Sequence, residues 1–266
     1  MALVTSQQLS QYYNNYLDID VTFTKQVSRV TGMLSKQTFL RFLGDQLPCI
    51  VYSCSMKGAK VITSVGQDLF QRIREANNLV SLRFCFKDVD KQDPISFYVA
   101  SRISGFNPYS AEQKELNFVT MSFTQRPSDD LIGILGLLLE ANINSKKRKE
   151  ERIEINPESM RKLGLPSKDA LVYIDNQPRK CLLRDLSFSG AKVLMTGVAA
   201  PDTQVTLVVP TDVGRPADEI IGKIVRYDEF PDKPGIGAVG IQFDEQQASM
   251  EYKMRLNEYL TSWRKP

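Results

Sequence analysis

Arg148-Lys149-Glu150-Glu151-Arg152 and Asp185-Leu186-Ser187-Phe188-Ser189-Gly190 are the two stretches on which the reading of this chain turns. The first sets two guanidiniums four positions apart in a charged run, Lys146 to Arg152, that comes soon after the apolar segment Asp129 to Ala141. The second sets a carboxylate, a hydroxyl and a glycine just past a β-rich segment, the residue types that shape turns. They lie 185 − 152 = 33 residues apart, room for two strands and their turns.

Outward from these stretches toward the C-terminus the pattern is almost purely β. Arg152 to Ile155, Ala170 to Ile174, Lys180 to Asp185, Ala191 to Met195, Gln204 to Val209, Glu219 to Tyr227 and Ala238 to Phe243 read as short strands. Turn residues divide them, among them Asp175-Asn176, Asp212-Val213-Gly214 and Pro231 to Gly235. Such spacing predicts an antiparallel barrel of six or seven strands, capped by a helix over Gln247 to Trp263 whose Met250, Met254, Leu256 and Leu260 dock on it.

Toward the N-terminus the signals are mixed. Ser6 to Asn15 is polar and reads as a loosely held lead-in, and Ser35 to Leu43 reads as a short helix behind a serine cap. Cys49 to Tyr52 and Lys60 to Ile62 suggest a hairpin, and Gln67 to Asn77 an amphipathic helix. Leu79 to Phe86, Ile95 to Ile103 and Leu116 to Phe123 alternate like strands, and Asp129 to Ala141 is an apolar helix. The expected fold is therefore mainly β with a few helices: an α+β N-terminal domain over residues 1–141, a linker over 142–152 and a β-barrel domain with its helix over 153–266. No repeat of fixed period is visible, although two β-rich halves are compatible with a divergent duplication.

Composition narrows the chemistry. The 266 residues carry 34 Lys+Arg against 31 Asp+Glu, a net charge of +3 that argues against duplex nucleic acid as partner. There is no histidine, which removes Ser-His-Asp triads, Cys-His pairs and His-ligated metals. Cys49, Cys54, Cys85 and Cys181 show no Cys-x-x-Cys spacing and read as buried small hydrophobes. The N-terminus lacks the pattern of a secretory signal, and the longest apolar run, Leu131 to Leu139, is far short of the roughly 20 residues that span a bilayer. The expectation is a cytoplasmic, non-enzymatic protein without metal or cofactor.

R-x-x-x-R at Arg148 and Arg152, followed by D-x-S-x-x-G at Asp185, Ser187 and Gly190 in a barrel context, resembles the PilZ domain, the bacterial receptor for cyclic di-GMP. The resemblance runs from about Lys146 to Phe243 and includes the strand pair Gly222 to Arg226 and Gly237 to Phe243. It implies cyclic di-GMP as ligand, with Arg148, Arg152, Asp185, Ser187 and Gly190 as its site. Lys147 occupies the position that in the family bears on whether one ligand or a stacked pair is held.

The residue chemistry agrees. A guanidinium fork bonds phosphate bidentately, pairs with guanine O6 and N7 and stacks on the base. Asp185 can accept from the guanine N1 and N2 donors, Ser187 adds a short hydroxyl contact, and Gly190 permits close approach and a positive φ. Less specifically, the N-terminal region resembles the PilZ-like domain that precedes PilZ in flagellar-brake receptors. That implies a protein partner, with motility machinery as one candidate.

Two further motifs carry less. Gly235-Ile236-Gly237-Ala238-Val239-Gly240 matches G-x-G-x-x-G but runs into a strand, whereas a dinucleotide site needs a helix there. Asp129-Asp130 and Glu150-Glu151 read as helix-dipole and solubility features rather than paired catalytic acids. The rival functions are an interaction adaptor that keeps the barrel without using the nucleotide, and a single-strand nucleic-acid binder, which the near-balanced charge disfavours.

Overall fold

The computed structural model describes residues 4–87, 93–110, 112–113, 115–197, 200–212, 215–233, 235–244 and 248–262. Parts of the sequence expectations fall outside these residues: Met1 to Leu3, Val213-Gly214, Pro234, and the expected helix ends Gln247 and Trp263. The chain forms two compact units, Met1–Leu139 and Glu140–Pro266.

The first unit runs α1 (Ser6–Asn15), β1 (Val21–Thr22), α2 (Lys25–Thr31), a 3-10 turn (Ser35–Gln37), β2 (Phe39–Phe42), β3 (Asp45–Pro48), β4 (Ile50–Cys54), β5 (Gly58–Ser64), α3 (Gln67–Glu75), β6 (Leu79–Phe86), β7 (Ile95–Pro108) and β8 (Leu116–Phe123). Helix α4 (Asp129–Lys147) supplies residues to both units. Its strands form an antiparallel sheet in the order β1-β4-β5-β8-β7-β6-β2-β3, and Cys49 N–H bonds Thr38 O at 3.3 Å where the sheet curls back on itself.

The second unit runs β9 (Ile153–Glu154), α5 (Pro157–Leu163), β10 (Asp169–Ile174), β11 (Gln177–Leu186), β12 (Gly190–Thr196), β13 (Gln204–Val209), β14 (Asp218–Glu229), β15 (Ile236–Phe243) and α6 (Met250–Ser262). Its order is β10-β13-β14-β15-β12-β11-β9, and an additional β10–β11 pairing closes six strands into a barrel with β9 as a flap on β11. Strand alternation fills the interior: Val172, Leu183, Val193, Leu207, Ile224 and Val239 are all fully buried. The expected mainly β architecture, with a C-terminal barrel and closing helix, is the observed one.

Four local expectations are corrected. Ser6 to Asn15 is a capped helix, because Thr5 and Gln8 form a reciprocal capping box while Leu9 and Tyr12 are buried. Ser35 to Leu43 is not helical: after one 3-10 turn, Phe39–Phe42 is a strand that hairpins through Leu43 and Gly44, both at positive φ. The stretch after Arg152 is not purely β, since Asn156 caps α5 with Pro157 at its start and Gly164 ends it in the left-handed region. Finally, the apolar helix ending at Ala141 by expectation continues to Lys147, so residues 142–147 are helical.

A repeat is also present, relating the two β-rich halves by a constant offset. β1 pairs with β4 as Val21↔Cys54 and Thr22↔Ser53, and β9 pairs with β11 as Ile153↔Leu186 and Glu154↔Asp185. Each equivalent position is 153 − 21 = 132 residues further on. The same offset relates the hairpin turns Leu43-Gly44 and Asp175-Asn176, the left-handed helix ends Gly32 and Gly164, and the strands Gly58–Ser64 and Gly190–Thr196.

Cys49, Cys54 and Cys181 are buried free thiols; burial pushes Cys49 and Cys181 up to about 12 and Cys54 higher still. Among the described residues no helix is long and apolar enough to cross a membrane.

Candidate functional site

β11 carries a bulge between Leu183 and Asp185, and the extra residue re-aims the strand just before its turn. Asp185 is thereby presented beside β9, and the chain entering β9 delivers Arg152. Arg152 Nη1 donates to Asp185 Oδ1 at 2.6 Å, a charge-assisted bond with Asp185 19% and Arg152 48% exposed. The two motifs that sequence placed 33 residues apart thus meet at one point.

The remaining motif residues divide into turn builders, a half-buried arginine and an exposed lysine. Ser187 is fully buried, and its Oγ both accepts from Gly190 N–H and bonds Gly190 O, each at 3.1 Å, while Ser187 N–H donates to Gly190 O at 2.8 Å. Its hydroxyl closes the turn. Gly190 does not use a positive φ; a Cβ there would overlap the carbonyl oxygen of Ile241 on β15, so glycine is required for the close backbone approach that its missing side chain permits. Arg148 follows the end of α4, its N–H bonded to Asn144 O at 2.8 Å, and its Nη1 is buried without a hydrogen-bond partner. Its Nε lies 3.9 Å from Glu151, a distant ion pair. Lys147 is exposed at the last position of α4.

Several contributors were not singled out from sequence. Ser189 Oγ donates to Lys149 O at 2.8 Å and lies 3.2 Å from Glu150 Oε1, tying the turn to the segment between the two arginines. Tyr252 of α6 is fully buried and donates to Ser187 O at 2.8 Å; burial pushes its hydroxyl well above the usual phenol range, so it stays a donor. Behind it, Arg255 of α6 pairs with Asp218 and donates to Leu163 O at 3.2 Å. Burial raises the Asp218 carboxyl, and the Arg255 charge opposes that rise. Ser189 could have been flagged from its place within the turn. Tyr252 had no local signal.

The arrangement offers guanidinium donors on one side and a carboxylate with a remaining acceptor oxygen on the other, which together suit an anion bearing ring N–H groups. No cluster of three Asp, Glu or Cys able to hold a metal occurs among the described residues. The G-x-G-x-x-G stretch begins in the turn at Gly235 and continues along the strand β15, as its context indicates. A cleft of about 730 Å³ in the first unit, between Phe70 and Phe106, contains none of the site residues inferred from sequence.

A closed six-stranded antiparallel barrel with Arg152 delivered to a D-x-S-x-x-G turn defines a class of small β-barrel domain. The chain belongs to the PilZ family: the PilZ domain matches residues 146–262, and the PilZN3 domain matches residues 7–142. A cyclic di-GMP binding protein of Treponema denticola is 44% identical over 268 residues, covering 100% of this chain and 85% of that protein. Among solved structures, Borreliella burgdorferi PlzA in complex with c-di-GMP is 23% identical, with 96% of this chain and 98% of that one covered and a TM-score of 0.44. YcgR of Escherichia coli in complex with c-di-GMP is 12% identical, covers 89% and 86%, and has a TM-score of 0.29.

Proposed function

We propose that this protein is a non-enzymatic cytoplasmic receptor for cyclic di-GMP, held by Arg148, Arg152 and Asp185, with Lys147 beside them and Ser187 and Gly190 shaping the turn. The Arg152–Asp185 bond carries this reading, because it brings the two halves of the motif, 33 residues apart in sequence, into direct contact. Family membership and the Treponema denticola relative support the choice of nucleotide. Four charge-assisted hydrogen bonds at about 1.5 to 3 kcal/mol each, with stacking of about 1 to 3 kcal/mol per base, offset an association cost of about 4 to 15 kcal/mol. Micromolar to nanomolar affinity is within that range.

Isothermal titration of the full chain with cyclic di-GMP tests this. Saturable binding that Arg152→Ala weakens at least tenfold, about 1.4 kcal/mol, is the expected result. A wild-type protein that takes up no ligand would leave the adaptor reading in its place.

The finer reading takes residues 1–141 and 153–266 as the two domains and 142–152 as their junction. Ligand held by arginines at that junction favours one domain arrangement over another and relays the signal to a protein partner, with motility machinery the first to test. Solution scattering with and without ligand reads the rearrangement, and identical dimensions at saturation would rule it out.

A further inference from the structure

Where α6 runs beside the end of α4, three cations, Lys146, Arg148 and Lys253, share one seam, and among the described residues the one carboxylate paired with any of them is Glu151, at 3.9 Å from Arg148 Nε. Asn144 of α4 donates to Asn257 Oδ1 at 2.7 Å, and Asn257 donates to Glu140 at 3.2 Å, so these faces of the two helices are in register. One helical turn from Asn257 on the same face of α6 is Lys253, and one turn beyond Asn144 is Arg148. Lys253 is half-buried, and burial and then the charge of Lys146 hold its ammonium below the ordinary lysine value. Among the described residues neither lysine has an ion-pair partner, and Arg148 Nη1 is one of the buried polar atoms left without a hydrogen bond.

The first unit shows what the fold needs at these places. Its closing helix matches α6 at an offset of 252 − 131 = 121: the capping bonds Leu131 N–H to Ser128 Oγ and Tyr252 N–H to Ser249 Oγ coincide, and so do the buried positions Leu135 and Leu256. The counterpart of Lys253 is Ile132, which is fully buried, and at the offset of 132 the counterparts of Lys146 and Arg148 are Asn14 and Tyr16. The fold is satisfied by an apolar side chain where the second unit holds a desolvated charge, so the lysine costs stability in the absence of an anion.

We infer that Lys253 of the closing helix, together with Lys146 and Arg148, forms an anion subsite that receives one phosphate of the bound nucleotide. The inference rests on the receptor reading above. Tyr252, the neighbour of Lys253, anchors the same turn of α6 to Ser187 O and so keeps the subsite beside the D-x-S-x-x-G turn.

The test is isothermal titration with cyclic di-GMP and thermal melting, without ligand, of the full-length wild type, Lys253→Ile and Lys253→Gln. Expected are affinities about tenfold weaker for both variants and, for Lys253→Ile, an unliganded melting temperature equal to or above wild type. Affinities within twofold of a wild type that does bind would overturn the subsite while leaving the receptor reading intact. So would weaker binding that tracks a lowered melting temperature in both variants, which would make Lys253 structural. Should Lys253→Ile fail to fold, Lys253→Gln decides. Absence of wild-type binding would sink the receptor reading itself.

Discussion

The two barrels are built to one plan and differ in what they present. In the first, Phe23 N–H bonds Tyr52 O at 2.8 Å, Ser55 N–H bonds Gly58 O at 2.9 Å and Phe123 N–H bonds Lys57 O at 2.7 Å. In the second, the equivalent bonds are Ile155 to Arg184, Ser187 to Gly190 and Phe243 to Ser189, each at 2.8 Å. Even the bulge recurs, between Val51 and Ser53 in one and Leu183 and Asp185 in the other. A Cβ on Gly58 would overlap the Met121 carbonyl as one on Gly190 would overlap that of Ile241. The serine and glycine that shape the turn are therefore present in both. The charges are not: Tyr16, Asp20 and Ser53 stand where the second barrel has Arg148, Arg152 and Asp185. Turn-building residues answer to the fold, and the proposed function assigns the charged ones to the ligand.

This contrast can be broken most forcefully by carrying the first barrel's residue into the second. Arg152→Asp, which copies Asp20, removes the partner of Asp185 and sets two carboxylates together, so cyclic di-GMP affinity should fall by at least a hundredfold, about 2.7 kcal/mol; titration that finds less than a tenfold loss would detach Arg152 from the site. A middle-sized effect is expected from the glycines. Gly58→Ala and Gly190→Ala should each lower stability in denaturant by about 1 to 3 kcal/mol, yet only Gly190→Ala should also weaken the ligand. Equal loss of binding in both would mean that the turn acts through global stability alone. The smallest change belongs to Asp20→Arg, an exposed position. It should move stability by no more than about 0.5 kcal/mol and leave ligand stoichiometry as it was, because Tyr16 and Ser53 still lack the matching charges. A second equivalent of bound nucleotide would show one substitution to be enough to revive the first barrel.

Much of the second barrel was legible because its local signals agree with its fold. Asp175-Asn176 is a two-residue turn with both φ positive, the geometry such residues favour, and the strands around it alternate cleanly. The equivalent turn in the first barrel is Leu43-Gly44, where a leucine sits at positive φ. With Phe39, Leu40, Phe42 and Leu43 fitting a helical period as well, the local reading went to the wrong element. Helices α2 and α5 did carry signals, Thr24 and Asn156 as caps with Gly32 and Gly164 as stops, but each is a short seven-residue helix inside a β-rich context. The repeat escaped notice because few identities survive at the shared offset, such as Cys49 and Cys181, Ser55 and Ser187, or Gly58 and Gly190. At the site, Arg152 and Asp185 could be paired from the motif alone. Tyr252 could not, since its partner Ser187 is 65 residues away and only the docking of α6 brings them together.

Helix α4 belongs to both copies at once. Its opening half, capped by Ser128, closes the first barrel as α6 closes the second, and its final turns up to Lys147 lead into the second barrel as α1 leads into the first. The copies consequently overlap instead of abutting, with no spacer at which a gene could be split cleanly. A break within α4 deprives one copy of its lid or the other of its lead-in.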